Sequence, residues 1–477
     1  MAMGKQQRER QSAMWVATTD LPTAASHRFY VRLNQLLRER GFDDFAEAQC
    51  AEFYADGTGR PGLAPGSYFR LLLIGYFEGL DSERGIAWRA ADSFALRDFL
   101  GVGLDSAPPD HSTISRTRRL IDLETHRAVF TWVLQWLATA GLVKGKTIGI
   151  DATTLEANAA LRTIVRRDTG ESYQEFLTQL AQASGIETPT RADLARIDRK
   201  RTKKGSNDDW THPHDPDARI AKMKDGRTHL AHKTEHAVDL QTGAIVGITI
   251  QGADLGDTTT IEETLPEAVA QLEAVAAVTD DAVATGEEVV TDKGYHSKQK
   301  MLELATLGVR TYISEPERGR QHWIEQRAER EAVYANRRRI RGDRGKDLLR
   351  RRSEFLERPN AHLSETGGMR RTHLRGHANI LKRLLVHASG FNLGLFMRTL
   401  TGIGTPRSLQ GRAAAALALC AACVGLIADP VAAWRPRWDD PLRPFTLIHR
   451  YVLPAVAAGE TTISPRASMT RSNSRRP

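Results

Sequence analysis

The sequence predicts an α/β fold, a mixed sheet flanked by helices, with an all-α block ahead of it. Three observations carry this. In KTIGIDATTLEANAA (146–160), Ile148 and Ile150 flank Gly149 in the alternation of a buried strand, and the run delivers one carboxylate, Asp151. In EEVVTDKGY (287–295), Val289 and Val290 lead through Thr291 into a second, Asp292. Residues 67–142, by contrast, read as a succession of helices.

The first sixty residues form an N-terminal extension with one helix at 26–40, whose apolar side carries Phe29, Val31, Leu33, Leu36 and Leu37. Residues 61–142 make the helical domain. Pro65 and Gly66 precede an apolar helix at 67–79 closed by a glycine, and Ser82 starts a second helix running through Ile86 and Trp88 toward Phe94. Asp110 caps a third, HSTISRTRRLI, which carries Arg116, Arg118 and Arg119. These short helices fit a helix-turn-helix-like reader of the DNA major groove and, equally, a small bundle with a solvated face. A helix at 123–142, apolar around most of its circumference, is placed to pack between this block and the core.

The core spans 143–400. After the Asp151 strand, residues 162–219 form an insertion with helices at 172–184 and from Thr190, where Thr190 and Asp193 make a capping-box start. A basic loop follows, with 199–204 suited to phosphates or to solvent. Residues 229–240 and 244–250 form a hairpin, and Asp257 and Thr258 cap a helix at 260–275. The Asp292 strand, a helix at 297–307 and a strand at 309–314 complete the order β, β, β, α, β, α, β, α, which is that of the RNase H-like fold.

An aspartate at the end of a buried strand is costly unless paired or metal-bound, so Asp151 and Asp292 are candidate ligands. A third carboxylate is expected from the helix DLLRRRSEFLERPNAHL (347–363), which offers Glu357 with Glu354 one turn before it. Each acid alone is equally a strand-end or helix-surface charge; the case rests on the three together.

Composition is compatible with a polyanionic partner. The 477-residue chain has a net charge of +9 and a pI near 9.5. Its densest basic run is Arg337, Arg338, Arg339, Arg341, Arg344, Lys346 and Arg350 to Arg352, where guanidinium forks match phosphate oxygens. Three cysteines, Cys50, Cys420 and Cys423, make no disulfide framework and point to a cytoplasmic protein. Cys420 and Cys423 have CxxC spacing without a second pair, and His212, His214, His229, His232 and His236 lack a zinc pattern. The polar N-terminus shows no secretory signal. The apolar stretch 413–428 is shorter than the roughly 20 residues of a membrane span, so a C-terminal helix without membrane insertion is expected in 401–477, followed by a disordered tail.

The chain resembles the DDE transposases of bacterial insertion sequences, the insertion-sequence-four superfamily and within it group eleven-eighty-two. The resemblance lies in DATTLEANAA, DPDARIAKMKDGRTHLAHKTEHAVDLQTGAIV (215–246), VVTDKGY and ETGGMRRTHLRGHANILKRLLVHASGFNLGLFMR (365–398). It implies an RNase H-like catalytic core, two divalent metal ions (Mg²⁺ or Mn²⁺) and metal-dependent cleavage and transfer of DNA strands, with Asp151, Asp292 and Glu357 as both catalytic residues and metal ligands. It implies double-stranded DNA, element ends and target, as partner, and action as a homodimer on DNA. It favours DNA contact by Arg116, Arg118 and Arg119 and by the Arg337 to Arg341 run; Lys293, Arg358, Arg370, Arg371 and Arg375 are further candidates to touch the strand.

One departure bears on the third acid. Where the family reads VERSFAH, this chain has LERPNAH, setting Pro359 two residues after Glu357, in the helix's last turn or at a kink. The family's spaced tyrosine, arginine, glutamate and lysine signature is also unmet, and Glu354 stays a rival ligand. Two other classes remain: a DNA-binding protein that has lost catalysis, and a metal-dependent phosphohydrolase, which would leave the arginine run unexplained.

Overall fold

A computed structural model describes residues 25–55, 62–201, 205–223, 226–279, 283–317, 319 and 321–409. Among the described residues seven α-helices come first: α1 Ala25–Glu39, α2 Phe42–Cys50, α3 Pro65–Glu78, α4 Glu83–Asp92, α5 Phe94–Leu100, α6 His111–Leu120 and α7 Leu123–Thr139. Their ends follow the sequence signals. Gly79 takes a left-handed conformation (φ 71°) to close α3, and the Asp110 carboxylate accepts from the Thr113 N–H at the start of α6. The expected helix from Ser82 is α4, ending at Asp92, and a further helix not anticipated in the sequence follows it, because Ser93 is extended and its hydroxyl accepts from the Leu96 N–H, capping α5.

The sheet follows. β1 Thr147–Glu156 leads into the insertion, with β2 Val165–Arg166, α8 Tyr173–Ala183, α9 Arg191–Lys200, β3 Trp210–Thr211 and β4 Arg219–Lys222. Both insertion helices begin with full capping boxes, Ser172 with Glu175 and Thr190 with Asp193. The hairpin is β5 Thr228–Asp239 and β6 Ile245–Gly252. After it come α10 Asp257–Ala276, β7 Glu288–Thr291, α11 Lys298–Thr306, β8 Arg310–Ile313, α12 Arg327–Arg341, α13 Asp343–Ala361 and α14 His377–Thr401.

The strands join in the order β4-β5-β1-β7-β8, with β6 also paired to β5. β5 runs antiparallel to β1, β4 and β6, whereas β1, β7 and β8 are mutually parallel, so the sheet is mixed. α10 covers one face and α13 and α14 the other. On the α10 side a Cβ at Gly247 would press on the Ala268 backbone, so glycine lets helix and strand approach closely.

One hydrophobic cluster runs from Phe29 to Met397. α14 is its hub, packing on α7, α3 and β6, and α7 in turn touches α2 and α10 as its all-round apolar character requires. A separate small core joins Ile164, Trp210 and Ala218 of the insertion to Ala157, just after β1, and Leu230 of β5. Cys50 is buried, and burial pushes its thiol up to about 11. Cys420, Cys423, the 413–428 stretch and the tip of the basic loop at 202–204 lie outside the described residues. Among the described residues no helix is long and apolar enough to cross a membrane.

Pro359 does not end α13. The helix continues to Ala361 and passes into a single π turn, His362–Thr366. Glu357 therefore sits within the helix, ahead of the place where its hydrogen bonding changes.

Candidate active site

Asp151 and Asp292 are brought together by strand register. β1 and β7 pair in parallel, Thr147 with Glu288, Ile148 with Val289 and Gly149 with Val290. Continued two residues past Gly149 and Val290, this register would set Asp292, the first residue after β7, level with Asp151 on strands about 4.8 Å apart. Residues at one level of a parallel pair point to the same face, so the two carboxylates share it. Asp151 is partly exposed, and Asp292 ends the strand by capping a 3₁₀ turn, Lys293–Tyr295, its Oδ1 accepting from the Gly294 N–H at 2.8 Å.

α13 crosses that face. At its start, Arg344 donates to Glu288 at 2.6 Å, and Glu288 also accepts from the Thr147 hydroxyl at 2.6 Å, fixing the helix to the base of β1 and β7. Two turns on, Arg352 Nη1 lies 3.7 Å from Asp151 Oδ1. Further along, Asn360 Nδ2 donates to Asp151 Oδ2 at 3.2 Å. Arg352, the buried Leu356 and Asn360 are spaced by four and so lie on one helix face. Asn360 Oδ1 is buried there without a hydrogen-bond partner.

Glu357 and Glu354 are exposed on this helix, Glu354 accepting from Arg358 at 2.9 Å. With about 100° per residue, Glu357 stands roughly 60° round the helix from Asn360. Among the described residues no three His, Cys, Asp or Glu side chains converge as a metal-binding group. The structure thus carries the two aspartates on adjacent parallel strands or just past them, and presents Asn360 and Arg352 to Asp151 where the sequence anticipates Glu357.

Polar groups surround the pair. His236 stands opposite Asp151 on β5, buried, its pKa pushed down to about 4 by burial, with neither ring nitrogen hydrogen-bonded. On the other face of β5, Lys233 binds Asp257, and Glu235 accepts from the hydroxyls of Tyr295 (2.5 Å) and Thr260 (2.8 Å).

The basic candidates divide by exposure. Arg116 and Arg119 are exposed on α6. Arg118 is not a surface group, contrary to the expectation for this helix: it is buried, donating to Glu83 at 2.7 Å and Asn379 at 2.6 Å, because the helix turns that position inward against α4 and α14. Arg338 and Arg341 are exposed, whereas Arg337 clasps Glu315 and Arg339 donates to the Thr311 carbonyl at 2.9 Å, so those two brace α12 on β8. Lys293 and Arg375 are exposed, as are Arg358, Arg370 and Arg371, paired with Glu354, Glu365 and Glu156 respectively.

The arginine loop before α14 is strapped to the sheet. Glu156 exchanges backbone hydrogen bonds with Arg370 (3.2 Å) and Thr372 (2.9 Å). From the insertion, Asp215 accepts from the Gly376 N–H at 3.1 Å and Asp217 from the His377 N–H at 3.0 Å, satisfying the first turn of α14. The DPDA phrase is thereby explained as a clasp between insertion and loop. Sequence reasoning passes over Asn360 and Lys233 and expects Asp257 to cap α10, whereas Gly256 takes that position without a side-chain cap and the Asp257 carboxylate binds Lys233. Asn360 carried one available signal, its position one turn after Leu356 on the face turned to the sheet.

Two family models match. Residues 19–120 match the family described as Transposase domain (DUF772), and residues 195–393 match the family described as Transposase DDE domain. Together they take in more than half of the chain. The second match includes Asp292, Glu354 and Glu357 but begins after Asp151.

Proposed function

Since this chain is a DDE transposase, an enzyme that cuts and joins DNA strands in transposition, we propose that Asp151, Asp292 and Glu357 are its three catalytic acids. The adjacency of Asp151 and Asp292 at the ends of parallel pairing carries the reading. The strand order, with β1 central between antiparallel β5 and parallel β7, supports an RNase H-like core, and the matched phrases support group eleven-eighty-two of the insertion-sequence-four superfamily.

DDE domains work with divalent metal ions, and the residues fit one. Two carboxylates and the unpartnered Asn360 Oδ1 offer the hard oxygen donors that Mg²⁺ or Mn²⁺ prefers. Two such ions held by Asp151, Asp292 and Glu357 would supply a deprotonated nucleophile and a stabilised leaving oxygen. A rotation of α13 that turns Asn360 aside brings Glu357 toward the pair, and the π turn beyond Ala361 is where such a rotation can be absorbed. Glu354 lies further round the helix, with its oxygen already taken by Arg358.

The reaction is hydrolysis at the element's end, freeing a 3′-hydroxyl that then attacks target DNA. Exposed Arg116, Arg119, Arg338, Arg341, Arg370, Arg371, Arg375 and Lys293 hold double-stranded DNA by its phosphates. The helical domain at 61–142 contributes to end recognition, and the protein acts as a homodimer on DNA.

The test is cleavage of a labelled duplex carrying the DNA that flanks the gene, in Mg²⁺ or EDTA. Nicking at the element's end by the intact protein, lost in Asp151→Ala and Asp292→Ala with DNA binding retained, is the expected result. Full cleavage by either variant would overturn the assignment.

A further inference from the structure

Gly294 is squeezed between two carboxylates. Its N–H donates to Asp292 Oδ1, and a Cβ placed on it would lie 3.0 Å from that same oxygen while running into Oδ2 of Asp257. Its backbone does not require the left-handed region; space alone excludes a side chain here. Asp257, the first residue of α10, is thus the acid that approaches Asp292 from the other side of the turn.

Two carboxylates this near repel unless a cation is at hand. Lys233 provides it from outside the pair. Its Nζ binds Asp257 Oδ1 and donates to the Leu255 carbonyl at 2.9 Å, and its side chain is almost fully withdrawn from solvent. The other end of the turn is fixed too, since buried Tyr295 donates to buried Glu235. β5 and α10 therefore grip the DKGY turn at both sides of Gly294.

We infer that Asp257, held by Lys233, is a positioning residue for the strand-cleavage reaction, fixing the turn so that the Asp292 carboxylate stays aimed beside Asp151. This rests on the reading of Asp292 as a metal-binding acid. A partner that orients a ligating carboxylate typically changes metal affinity 10–100-fold when it is removed.

The experiment is Mn²⁺ binding to the full chain without DNA, followed by the electron paramagnetic resonance of free Mn²⁺, for the wild type, Asp257→Asn, Lys233→Gln and Asp292→Ala. Thermal midpoints in EDTA show which variants fold. Asp257→Asn and Lys233→Gln are expected to weaken Mn²⁺ binding about 10–100-fold and to raise the Mn²⁺ needed for cleavage, with Lys233→Arg restoring much of the affinity. Wild-type affinity in folded Asp257→Asn or Lys233→Gln, beside a loss in Asp292→Ala, overturns the positioning role alone. Wild-type affinity in Asp292→Ala overturns the metal-binding reading and the positioning role with it.

Discussion

Arg352 brings its guanidinium to 3.7 Å from Asp151 Oδ1 while Asn360, two turns along the same helix, bonds the other carboxylate oxygen. The carboxylate is thus neutralised from α13 itself. A divalent cation arriving at Asp151 competes with this guanidinium. Arg352→Gln is therefore expected to bind Mn²⁺ more tightly, by a few-fold, in a titration at low ionic strength; weaker binding would show that Arg352 supports the cation site.

Glu357 and Glu354 make a sharper contrast. Glu357→Gln is expected to lower the cleavage rate at least 100-fold with little change in DNA affinity, and Glu354→Gln less than about 3-fold, as suits an exposed ion pair worth under 1 kcal/mol. Single-turnover cleavage under saturating Mg²⁺ measures both. The reverse order would transfer the third position to Glu354.

The helical domain carries a pH response. His126 is buried on α7 against Tyr68 and Phe69 of α3, and burial lowers its pKa to about 4, against the opposing pull of its hydrogen bond with the Asp122 carbonyl. In the unfolded chain it titrates near 6.5. Between about 6.5 and about 4 the unfolded state binds a proton that the folded state refuses, so stability is lost as pH falls through that window, by roughly 3 kcal/mol in all. Thermal midpoints from pH 7 to pH 4.5 should fall less steeply in His126→Gln than in the wild type; parallel curves would remove His126 as a source.

Much of this was legible from residue pattern. Ser172, Thr190 and Asp110 are caps whose side-chain chemistry acts within one turn, and Ile148, Ile150, Val289 and Val290 mark both buried strands locally; Asp151 is expected at a strand end, whereas β1 runs on to Glu156, because antiparallel pairing with β5 continues past it. Arg118 shows where local reading ends. Its place four residues after Ile114 and three before Ile121 sets it on the apolar face of the helix, apart from Arg116 and Arg119; its partners on α4 and α14, one of them some 260 residues away in the chain, lie beyond local reading. The same holds for Asp257, whose partner Lys233 comes from β5, and for Asn360, whose role depends on the angle at which α13 crosses β1. Pro359 suggests a last turn or a kink at Glu357, but α13 runs on to Ala361 and the change that follows is a π turn that no propensity scale anticipates.

The central claim, that a divalent cation is held where the parallel pairing of β1 and β7 ends, is tested most directly by replacing Mg²⁺ with Fe²⁺ and adding peroxide, so that radicals made at the bound ion cut the nearby polypeptide. Cuts are predicted next to Asp151, in the Asp292 to Tyr295 turn and around Asn360, and are expected to vanish in Asp151→Ala and Asp292→Ala. Cuts confined to other segments, unchanged in both variants, would contradict the account.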